Sequence, residues 1–409
     1  MASSLPVTRT DSLGVDAAEI GRSIAYIAVP ASLVPNGIAL AIYALAAIGL
    51  LAVIRGATLA PRLKLVSGLL AAWLAVLVVI ELWGGPRATG IPLTLFHLTI
   101  LVAFPFFVVG LLEVRADAKT LAACVALTVV FAAVLSIVQF AVDPSARPGG
   151  LRLNPIHFGF VLSIWGMLSL CFALQGDKPQ LPALLVALLA LVPVFLSASR
   201  LIWFGTALGY AIISSWWLAR RPLVLVTVAV VAIIAALGAL QFGFARTRVL
   251  GLFGEVTDFV TLGSVAPGTF GFRFGAAITA WREFLEQPWL GHGLAFGDAG
   301  VLSELRAPGL PDFSTKVHLH NEYLTYLVAF GIPGLLFIAT LIALFFLTLW
   351  WSGEPPLRLF AVAATVLICV FMLAEVVLRW PTIYGLLFFL MGVGFRAQAN
   401  REPRSAQRR

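Results

Sequence analysis

Two histidines, an amide and a carboxylate lie close together in the C-terminal half of the sequence. Residues 317–324 read VHLHNEYL, which places His318, His320, Asn321 and Glu322 directly before a helical pattern of apolar residues. Asn321 is a favourable N-cap residue, and the free N–H groups of a helix start can hold an anion. A histidine beside them can accept a proton from a hydroxyl group at neutral pH. The pattern equally fits an interfacial turn with amphipathic side chains, so spacing alone leaves both interpretations open.

Three arginines, Arg152, Arg200 and Arg273, lie beside apolar runs in segments that carry little other positive charge. Arg200 ends a hairpin, residues 197–200, that is too short to leave the membrane surface, and Arg273 has a phenylalanine on each side. Guanidinium groups bind phosphate oxygens through paired hydrogen bonds and stay charged, so converging arginines suit a diphosphate. With a histidine nearby, they predict group transfer from a lipid diphosphate to an alcohol. The alternative for each arginine is a side chain that reaches the lipid headgroups.

The rest of the chain is strongly apolar. Of 409 residues, 61% are hydrophobic and only 11% are charged, whereas soluble domains carry roughly 25% charged residues. This composition excludes a soluble enzyme, a disordered chain, a collagen and a disulfide scaffold, and the solid apolar runs argue against an outer-membrane barrel, whose strands alternate. The net charge of +8 is better explained by basic cytoplasmic loops than by nucleic acid.

Continuous apolar runs predict an all-α polytopic membrane protein with about 12 transmembrane helices. A spanning helix needs about 20 apolar residues. The runs lie near 21–34, 36–54, 65–83, 92–112, 120–142, 154–174, 181–198, 201–219, 222–242, 332–351, 357–378 and 381–395. The first run is short and ends at Pro35, so half of a broken helix, with eleven spans in all, remains the alternative.

The distribution of basic residues predicts the orientation. With the N-terminus inside, the inside loops and the C-terminal tail hold 14 arginines and lysines, and the short outside loops hold 5. Positive residues collect on the cytoplasmic side, so both termini are predicted to be cytoplasmic. The polar segment 1–20 is not followed by a small-residue cleavage site, so no removable signal peptide is expected.

Four regions are predicted along the chain. A membrane bundle of about nine spans covers 1–242, a periplasmic loop domain covers 243–331, three further spans cover 332–395, and a basic cytoplasmic tail covers 396–409. Inside the loop domain, a set of apolar residues recurs at helical spacing and predicts a helix on the outer membrane surface. This set is Phe274, Ala277, Ile278, Trp281, Phe284 and Leu285.

No cofactor or metal is predicted. The sequence has no glycine-rich phosphate loop, no D-x-D pair and no cluster of cysteines and histidines with metal-ligand spacing. The three cysteines lie inside apolar runs and imply no disulfide framework.

A transporter is the rival from another class of protein. Many transporters divide into two similar halves, whereas this sequence shows no internal repeat and has its long insertion after the ninth span. Ionisable residues that would mark an ion path are also sparse. Glu81 and Glu375 lie near span ends, and His97 is the one such group well inside a span.

The histidine segment resembles a known family. His320 and Asn321, then nine residues, Gly331, two residues and Gly334 match the H-[NSQ]-x9-G-x-x-G pattern of the O-antigen ligase family. Residues 199–203 resemble that family's serine-arginine helix start, and residues 273–293 are similar to its outer-loop segment. The order of these features, the number of spans and the position of the long loop fit along most of the chain.

The resemblance implies a metal-independent, C-type membrane glycosyltransferase of the bacterial inner membrane, with its active site on the periplasmic side. Ligases of this family transfer O-antigen from undecaprenyl diphosphate to lipid A-core oligosaccharide. They rely on two arginines and the histidine of the pattern, which correspond here to Arg200, Arg273 and His320. Whether His320 acts as a general base or positions the acceptor stays open.

The remaining candidates are assigned to substrate binding, together with the two arginines: Asn321, Glu322, Arg152 and His318. His318 has no counterpart in the family pattern. The same superfamily includes O-antigen and exopolysaccharide polymerases and protein O-oligosaccharyltransferases, and the histidine pattern favours a ligase among them.

Overall fold

The computed structural model describes residues 15–83, 91–144, 147–219, 246–247, 250–251, 254, 257, 269–294 and 318–400. All regular secondary structure within these ranges is helical. The helices are α1 (Val15–Ala31), α2 (Gly37–Ile54), α3 (Pro61–Trp83), α4 (Ile91–Glu113), α5 (Ala118–Val142), α6 (Pro155–Ala173), α7 (Leu181–Leu196), α8 (Arg200–Leu218), α9 (Thr269–Glu286), α10 (Glu322–Trp351), α11 (Pro355–Met372) and α12 (Pro381–Ala399).

The helices confirm the prediction of an all-α polytopic membrane protein. Each predicted span that falls within the described residues overlaps one helix, and 8 of these helices are long and apolar enough to cross a membrane. The predicted span 222–242, the side chain of His97 and much of the predicted loop domain lie outside the described part of the chain. Helix α12 runs to Ala399, so the first residues of the predicted tail continue that helix.

Local sequence explains where several helices begin. Asp117 accepts a hydrogen bond from the Thr120 amide at 2.8 Å, and Asn321 accepts one from the Leu324 amide at 3.0 Å. Such caps satisfy amide groups that have no partner inside the helix. Helices α6, α11 and α12 each have proline in the first turn, where its missing N–H costs nothing.

One helix ends before the apolar run that predicts it. The run 357–378 predicts a single helix, but α11 ends at Met372, and residues 373–380, here called the 373–380 turn, form an irregular connection to α12. Glu375 lies in this turn with 1% of its surface exposed, and its Oε1 accepts a hydrogen bond from the Val376 amide at 3.0 Å. Pro381 then starts the next helix. Hydropathy conceals this break because Glu375 is the only charged residue between Met372 and Leu378.

Helix α10 is kinked at Gly331, which has φ 62° and ψ −148°. The residues after α9 supply the hydrogen bonds that the kink requires. The Ile332 amide donates to the Pro288 carbonyl at 2.9 Å, and the amides of His292 and Gly293 donate to carbonyls of α10, also at 2.9 Å. A buried backbone must be satisfied in this way when a helix breaks inside a membrane protein. The kink therefore joins the end of the outer-loop segment to the first half of α10.

Helix α9 exposes its apolar stripe and buries its small-residue face. Phe274, Ile278, Trp281 and Leu285 are exposed to different degrees. Ala276, Thr279, Ala280 and Glu283 are buried, and α9 packs on α10. An exposed apolar stripe on an amphipathic helix suits contact with the apolar edge of a bilayer, as the sequence pattern predicts.

Several helix ends converge at the end of the bundle that contains Glu375, here called the Glu375 end. The amide of Leu294 donates to Glu81, near the C-terminus of α3, at 2.9 Å. His157, in the first turn of α6, lies 4.8 Å from Trp380, between ring centroids.

Basic side chains occupy the opposite end of the bundle. Arg62 lies over Trp351, Arg358 lies over Trp350, and Arg396 donates to the Leu111 carbonyl at 2.7 Å. The bundle is therefore polarised, with its arginine-rich loops away from Glu375.

Candidate functional site

Glu375 brings the two histidines of the sequence motif together. His318 Nε2 lies 3.8 Å from Glu375 Oε1, and His320 Nδ1 lies 3.6 Å from Glu375 Oε2. The centroids of the two imidazole rings are 3.9 Å apart. These three residues are called the His–Glu cluster below. Glu375 is a candidate functional residue that the sequence analysis placed only near a span end.

The two histidines differ in exposure. The side chain of His320 is 23% exposed, and that of His318 is 7% exposed. His320 has φ 50°, and its amide donates to His318 Nδ1 at 3.3 Å. This left-handed conformation immediately before α10 presents the His320 ring to the outside while Glu375 remains behind it. The arrangement is an accessible imidazole supported by a buried carboxylate.

Burial and neighbouring charges set the protonation states in the cluster. Burial and, to a smaller extent, the charge of His320 lower the pKa of His318 to about 4, against the opposing influence of Glu375. Burial raises the pKa of Glu375, but its interactions with His320, His157 and His318 outweigh burial, and the resulting pKa is below the ordinary value. At neutral pH, Glu375 is therefore a carboxylate and His318 a neutral imidazole.

His157 is a further residue at this site that the sequence analysis did not select. It is 3% exposed and lies against Trp380, which also faces His318 at 6.5 Å between ring centroids. The only signal in the sequence is its position one turn into α6, shortly after Arg152. Since a single histidine in an apolar helix is not a motif, spacing gave no reason to choose it.

The 373–380 turn also contacts three residues that the sequence analysis did select. Arg273 Nη2 donates to the Ala374 carbonyl at 3.3 Å, and Asn321 Nδ2 donates to the Leu373 carbonyl at 3.2 Å. Glu322 is fully buried, and its Oε2 accepts from the Leu378 amide at 3.2 Å. Glu322 therefore holds the turn in place, which favours a positioning role over direct substrate binding.

Arg200 begins α8, which packs antiparallel to α11. A Cβ built on Gly205 would lie 2.7 Å from Leu367, and one built on Gly209 would lie 3.6 Å from the Ala363 carbonyl. Positions closer to the start of α8 therefore face positions closer to the end of α11. Arg200, the first residue of α8, accordingly lies beside the end of α11, where the 373–380 turn begins. The guanidinium group lies beside Gly251, with Nη2 3.3 Å from a Cβ built there.

Arg152 is placed differently. It is exposed, has φ 67° and lies in the turn that precedes α6. Among the described residues it makes no hydrogen bond or ion pair. The structure therefore brings His318, His320, Asn321, Glu322 and Arg273 to one turn and Arg200 to the same end of the bundle, and it leaves Arg152 at the surface.

The site combines imidazole groups, which can accept a proton, with guanidinium groups, which can hold an anion. A partly exposed imidazole with a carboxylate behind it can orient a hydroxyl group and take its proton. Arg273 carries five N–H donors, and one of them donates to the Ala374 carbonyl. The ligand atoms of His318, His320 and Glu375 also lie within 4.8 Å of one another, as do those of Glu283, Glu286 and His292.

The glycines of the motif maintain this geometry. Gly331 occupies a backbone conformation that only glycine adopts readily, and a Cβ there would overlap the Pro288 carbonyl. A Cβ on Gly334 would overlap the Tyr326 carbonyl. Both glycines therefore serve the kink that follows the histidines.

Comparison with known proteins agrees with the resemblance read from the sequence. A family model described as O-antigen ligase matches residues 185–339. The matched segment contains Arg200, Arg273, His320 and both motif glycines, whereas Glu375 and His157 lie outside it. No curated protein matches the chain. Residues 185–339 of the chain are therefore similar to the O-antigen ligase family.

Proposed function

We propose that the protein is an O-antigen ligase. It transfers a glycan from undecaprenyl diphosphate to a hydroxyl group of lipid A-core oligosaccharide, at the periplasmic face of the bacterial inner membrane. The observation that carries this proposal is the partly exposed His320 with buried Glu375 behind it, in a chain whose residues 185–339 match the O-antigen ligase family. The reaction needs no metal and inverts the anomeric configuration.

His320 and Glu375 act on the acceptor. The imidazole of His320 orients the acceptor hydroxyl and takes its proton as the oxygen attacks the anomeric carbon. Glu375 fixes the ring through Nδ1 and stabilises the charge that develops on it. Asn321 and His318 shape the surroundings of His320, and Glu322 keeps the 373–380 turn in place.

Arg200 and Arg273 act on the donor. As the new glycosidic bond forms, the bond between the anomeric carbon and the diphosphate oxygen breaks, and its electron pair leaves with undecaprenyl diphosphate. Guanidinium groups at this position stabilise the developing negative charge. Arg152, exposed in the turn before α6, is suited to contact the glycan or the lipid headgroups rather than the reacting atoms.

The orientation follows from the polarised bundle. The arginines of the loops at the end opposite Glu375 belong on the cytoplasmic side by the positive-inside rule. The Glu375 end is then periplasmic, and both chain termini are cytoplasmic. In this orientation the exposed stripe of α9 lies at the outer membrane surface.

A polymerase is the alternative within the same superfamily. It would use the same donor but extend a glycan that is itself carried on undecaprenyl diphosphate. A transporter is less consistent with the structure, because the buried glutamate and histidine side chains among the described residues all lie at the Glu375 end. They form no polar path across the described bundle.

The decisive experiment is a reconstituted transfer assay. Purified protein is mixed with undecaprenyl-diphosphate-linked glycan and lipid A-core, in the presence of EDTA and without a nucleotide. The expected product is lipid A-core that bears the glycan. A glycan that lengthens on the lipid carrier would identify a polymerase, and a strict requirement for magnesium or manganese would contradict the proposed chemistry.

A gene deletion gives a second measurement. Loss of polymer-capped lipopolysaccharide, with polymer still on the lipid carrier, is the expected result for a ligase. Loss of the long chains themselves would instead identify a polymerase.

A further inference from the structure

The His–Glu cluster has the composition of a transition-metal site. Two imidazole nitrogens and one carboxylate converge from segments that lie more than fifty residues apart in the sequence, and their ligand atoms lie within 4.8 Å of one another. Imidazole ligands suit zinc, copper and nickel, whereas magnesium and calcium prefer sites made of oxygen atoms. The donor set therefore selects a zinc-like ion over the abundant hard cations.

The distances are close to those of a zinc site. Zinc binds nitrogen and oxygen at roughly 2.0–2.2 Å in a tetrahedral arrangement, so neighbouring ligand atoms are about 3.3–3.5 Å apart. In the cluster, His320 Nδ1 lies 3.6 Å from Glu375 Oε2 and His318 Nε2 lies 3.8 Å from Glu375 Oε1, so the carboxylate presents a different oxygen to each histidine. Coordination through His318 Nε2 requires the proton of this ring to lie on Nδ1, so side-chain rotation must break the 3.3 Å hydrogen bond that Nδ1 accepts from the His320 amide.

His157 is a second observation that points to a ligand. It is 3% exposed, and within the described part of the chain its Nε2 has no hydrogen-bond partner. A buried polar atom of this kind is normally satisfied, so its presence needs an explanation. His157 interacts electrostatically with both Glu375 and His320. A cation held by the cluster, or a water molecule in its coordination shell, would give this nitrogen a partner.

We propose that His318, His320 and Glu375 bind one zinc-like divalent ion, and that this binding inhibits glycosyl transfer. The inhibitory part rests on the proposed function, whereas the binding part does not. An ion on His320 Nδ1 and on the Glu375 oxygens removes the contact that orients the imidazole. Its positive charge also opposes uptake of a proton from the acceptor. Metal binding and catalysis are therefore competing uses of the same three side chains.

The binding test uses the purified full chain in detergent. Zn²⁺ is titrated by calorimetry, and Co²⁺ is titrated as a spectroscopic probe of coordination. The expected result is one ion per chain, with tetrahedral Co²⁺ absorption. His318→Ala and Glu375→Gln should each weaken binding by more than about tenfold, since changes even to residues behind metal ligands cost 10- to 100-fold in affinity. Thermal unfolding of each variant without metal verifies that it is folded.

The second histidine–carboxylate group supplies a matched control. Glu286 is exposed and belongs to the group of Glu283, Glu286 and His292 on the outer-loop segment. Glu286→Gln removes a ligand there and should leave Zn²⁺ affinity unchanged. Loss of the ion in Glu286→Gln, or unchanged binding in folded His318→Ala and Glu375→Gln, would overturn the proposed site.

The inhibition test measures transfer at increasing Zn²⁺, with Mg²⁺ as the control ion. Zn²⁺ should inhibit, Mg²⁺ should not, and a chelator should restore the rate. In His318→Ala, the Zn²⁺ concentration for half-inhibition, relative to that variant's own metal-free rate, should rise by the same factor as its Kd. A chain that binds Zn²⁺ at the cluster yet transfers glycan at an undiminished rate would overturn the inhibitory part. A chain without transfer that still binds Zn²⁺ there would count against the proposed function and support the binding part.

Discussion

His320 is distinguished from an ordinary interfacial histidine by the carboxylate behind it. The chain places His320 at a surface helix start, 23% exposed, so its removal leaves little unfilled space. His320→Ala should lower transfer by about 100-fold or more, which is the typical contribution of general acid–base catalysis. The measurement is transfer from the lipid-linked donor in detergent, with membrane insertion and Tm determined in parallel.

His318→Ala is the internal comparison for that variant. His318 is more buried and lies beside the reactive ring, so its loss should affect transfer less than the loss of His320. If folded, inserted His320→Ala transferred glycan at the wild-type rate, the residue would be an interfacial anchor and the assignment of the site would be wrong.

Arg200 and Arg273 should tolerate lysine poorly. A lysine ammonium is a point charge and cannot make the paired contact of a guanidinium group with a phosphate. Arg273→Lys also removes the guanidinium group, which donates to the Ala374 carbonyl and is proposed to hold the diphosphate. Each substitution should reduce transfer by about 100- to 1000-fold, equivalent to about 2.7–4 kcal/mol of transition-state stabilisation.

The matched comparison for the arginines is Arg152→Lys. Arg152 is exposed and outside the cluster, so lysine should replace it with a small effect. Equal tolerance of lysine at Arg200, Arg273 and Arg152 would indicate that all three serve as headgroup anchors.

His318 should make the folded protein sensitive to moderate acid. Its pKa falls from 6.5 to about 4 on folding, so between these values the unfolded chain binds a proton that the folded chain does not. Stability is therefore lost as the pH falls through this window. Glu375, whose folded-state pKa is depressed, acts in the same direction at lower pH.

The measurement is Tm in detergent between about pH 7 and about pH 4.5. Tm should decrease with pH in the wild type, and the decrease should be shallower in His318→Gln, which cannot be protonated. A variant that loses stability with the wild-type slope would show that other groups cause the acid sensitivity.

Individual residues show how much of the candidate site could be predicted from the sequence alone. His320, Asn321 and the motif glycines are close in the chain and form a recognisable spacing, so they could be chosen directly. Glu375 lies 55 positions beyond His320, and His157 lies in an earlier helix. Glu375 and His157 reach the histidines only through the packing of α6 and the 373–380 turn. The spacing of residues within one segment of the sequence does not predict that packing.

At the scale of elements, Gly331 is the most constrained position near the site. Its backbone conformation is strained for any residue with a side chain, at a cost of about 1–3 kcal/mol, and a Cβ would also overlap the Pro288 carbonyl. Gly331→Ala should therefore lower Tm and transfer together, because the kink anchors the outer-loop segment and orients the first half of α10.

Gly68 provides the matched control for Gly331. It lies inside α3, and a Cβ there would meet nothing within 4 Å. Gly68→Ala should leave transfer unchanged and leave Tm equal or slightly higher, since alanine favours a helix by about 1 kcal/mol over glycine. A wild-type Tm and rate in Gly331→Ala would refute the role assigned to the kink.

The helices themselves were largely predictable because a spanning helix must be both long and apolar. The exception is instructive: the 373–380 turn is hidden within an apolar run and carries one carboxylate. A hydropathy value is averaged over about twenty residues, so an irregular segment of eight mostly apolar residues does not change it. The backbone groups of this segment form hydrogen bonds with Glu322, Asn321 and Arg273. Hydrogen bonds from other parts of the fold stabilise this turn. A hydropathy average over neighbouring residues cannot detect them.

At the scale of the whole molecule, the predicted orientation rests on the count of basic residues in the loops and on the end of the bundle at which three of them lie. The sequence places 14 basic residues on one side and 5 in the short loops of the other. The structure places Arg62, Arg358 and Arg396 at the end opposite Glu375. Because moving loops rich in arginine across a membrane is disfavoured, these features together predict cytoplasmic termini and a periplasmic site.

Reporter fusions test this orientation directly. A reporter that is active only in the periplasm should be inactive when fused after Arg409 and active when inserted near Gly309. A reporter that folds only in the cytoplasm should give the reverse pattern, which guards against poor expression of either fusion. If the fusion after Arg409 reported a periplasmic location, the Glu375 end would face the cytoplasm. His320 could not then meet a donor and an acceptor displayed on the periplasmic face, and the proposed ligase reaction would fail with the topology.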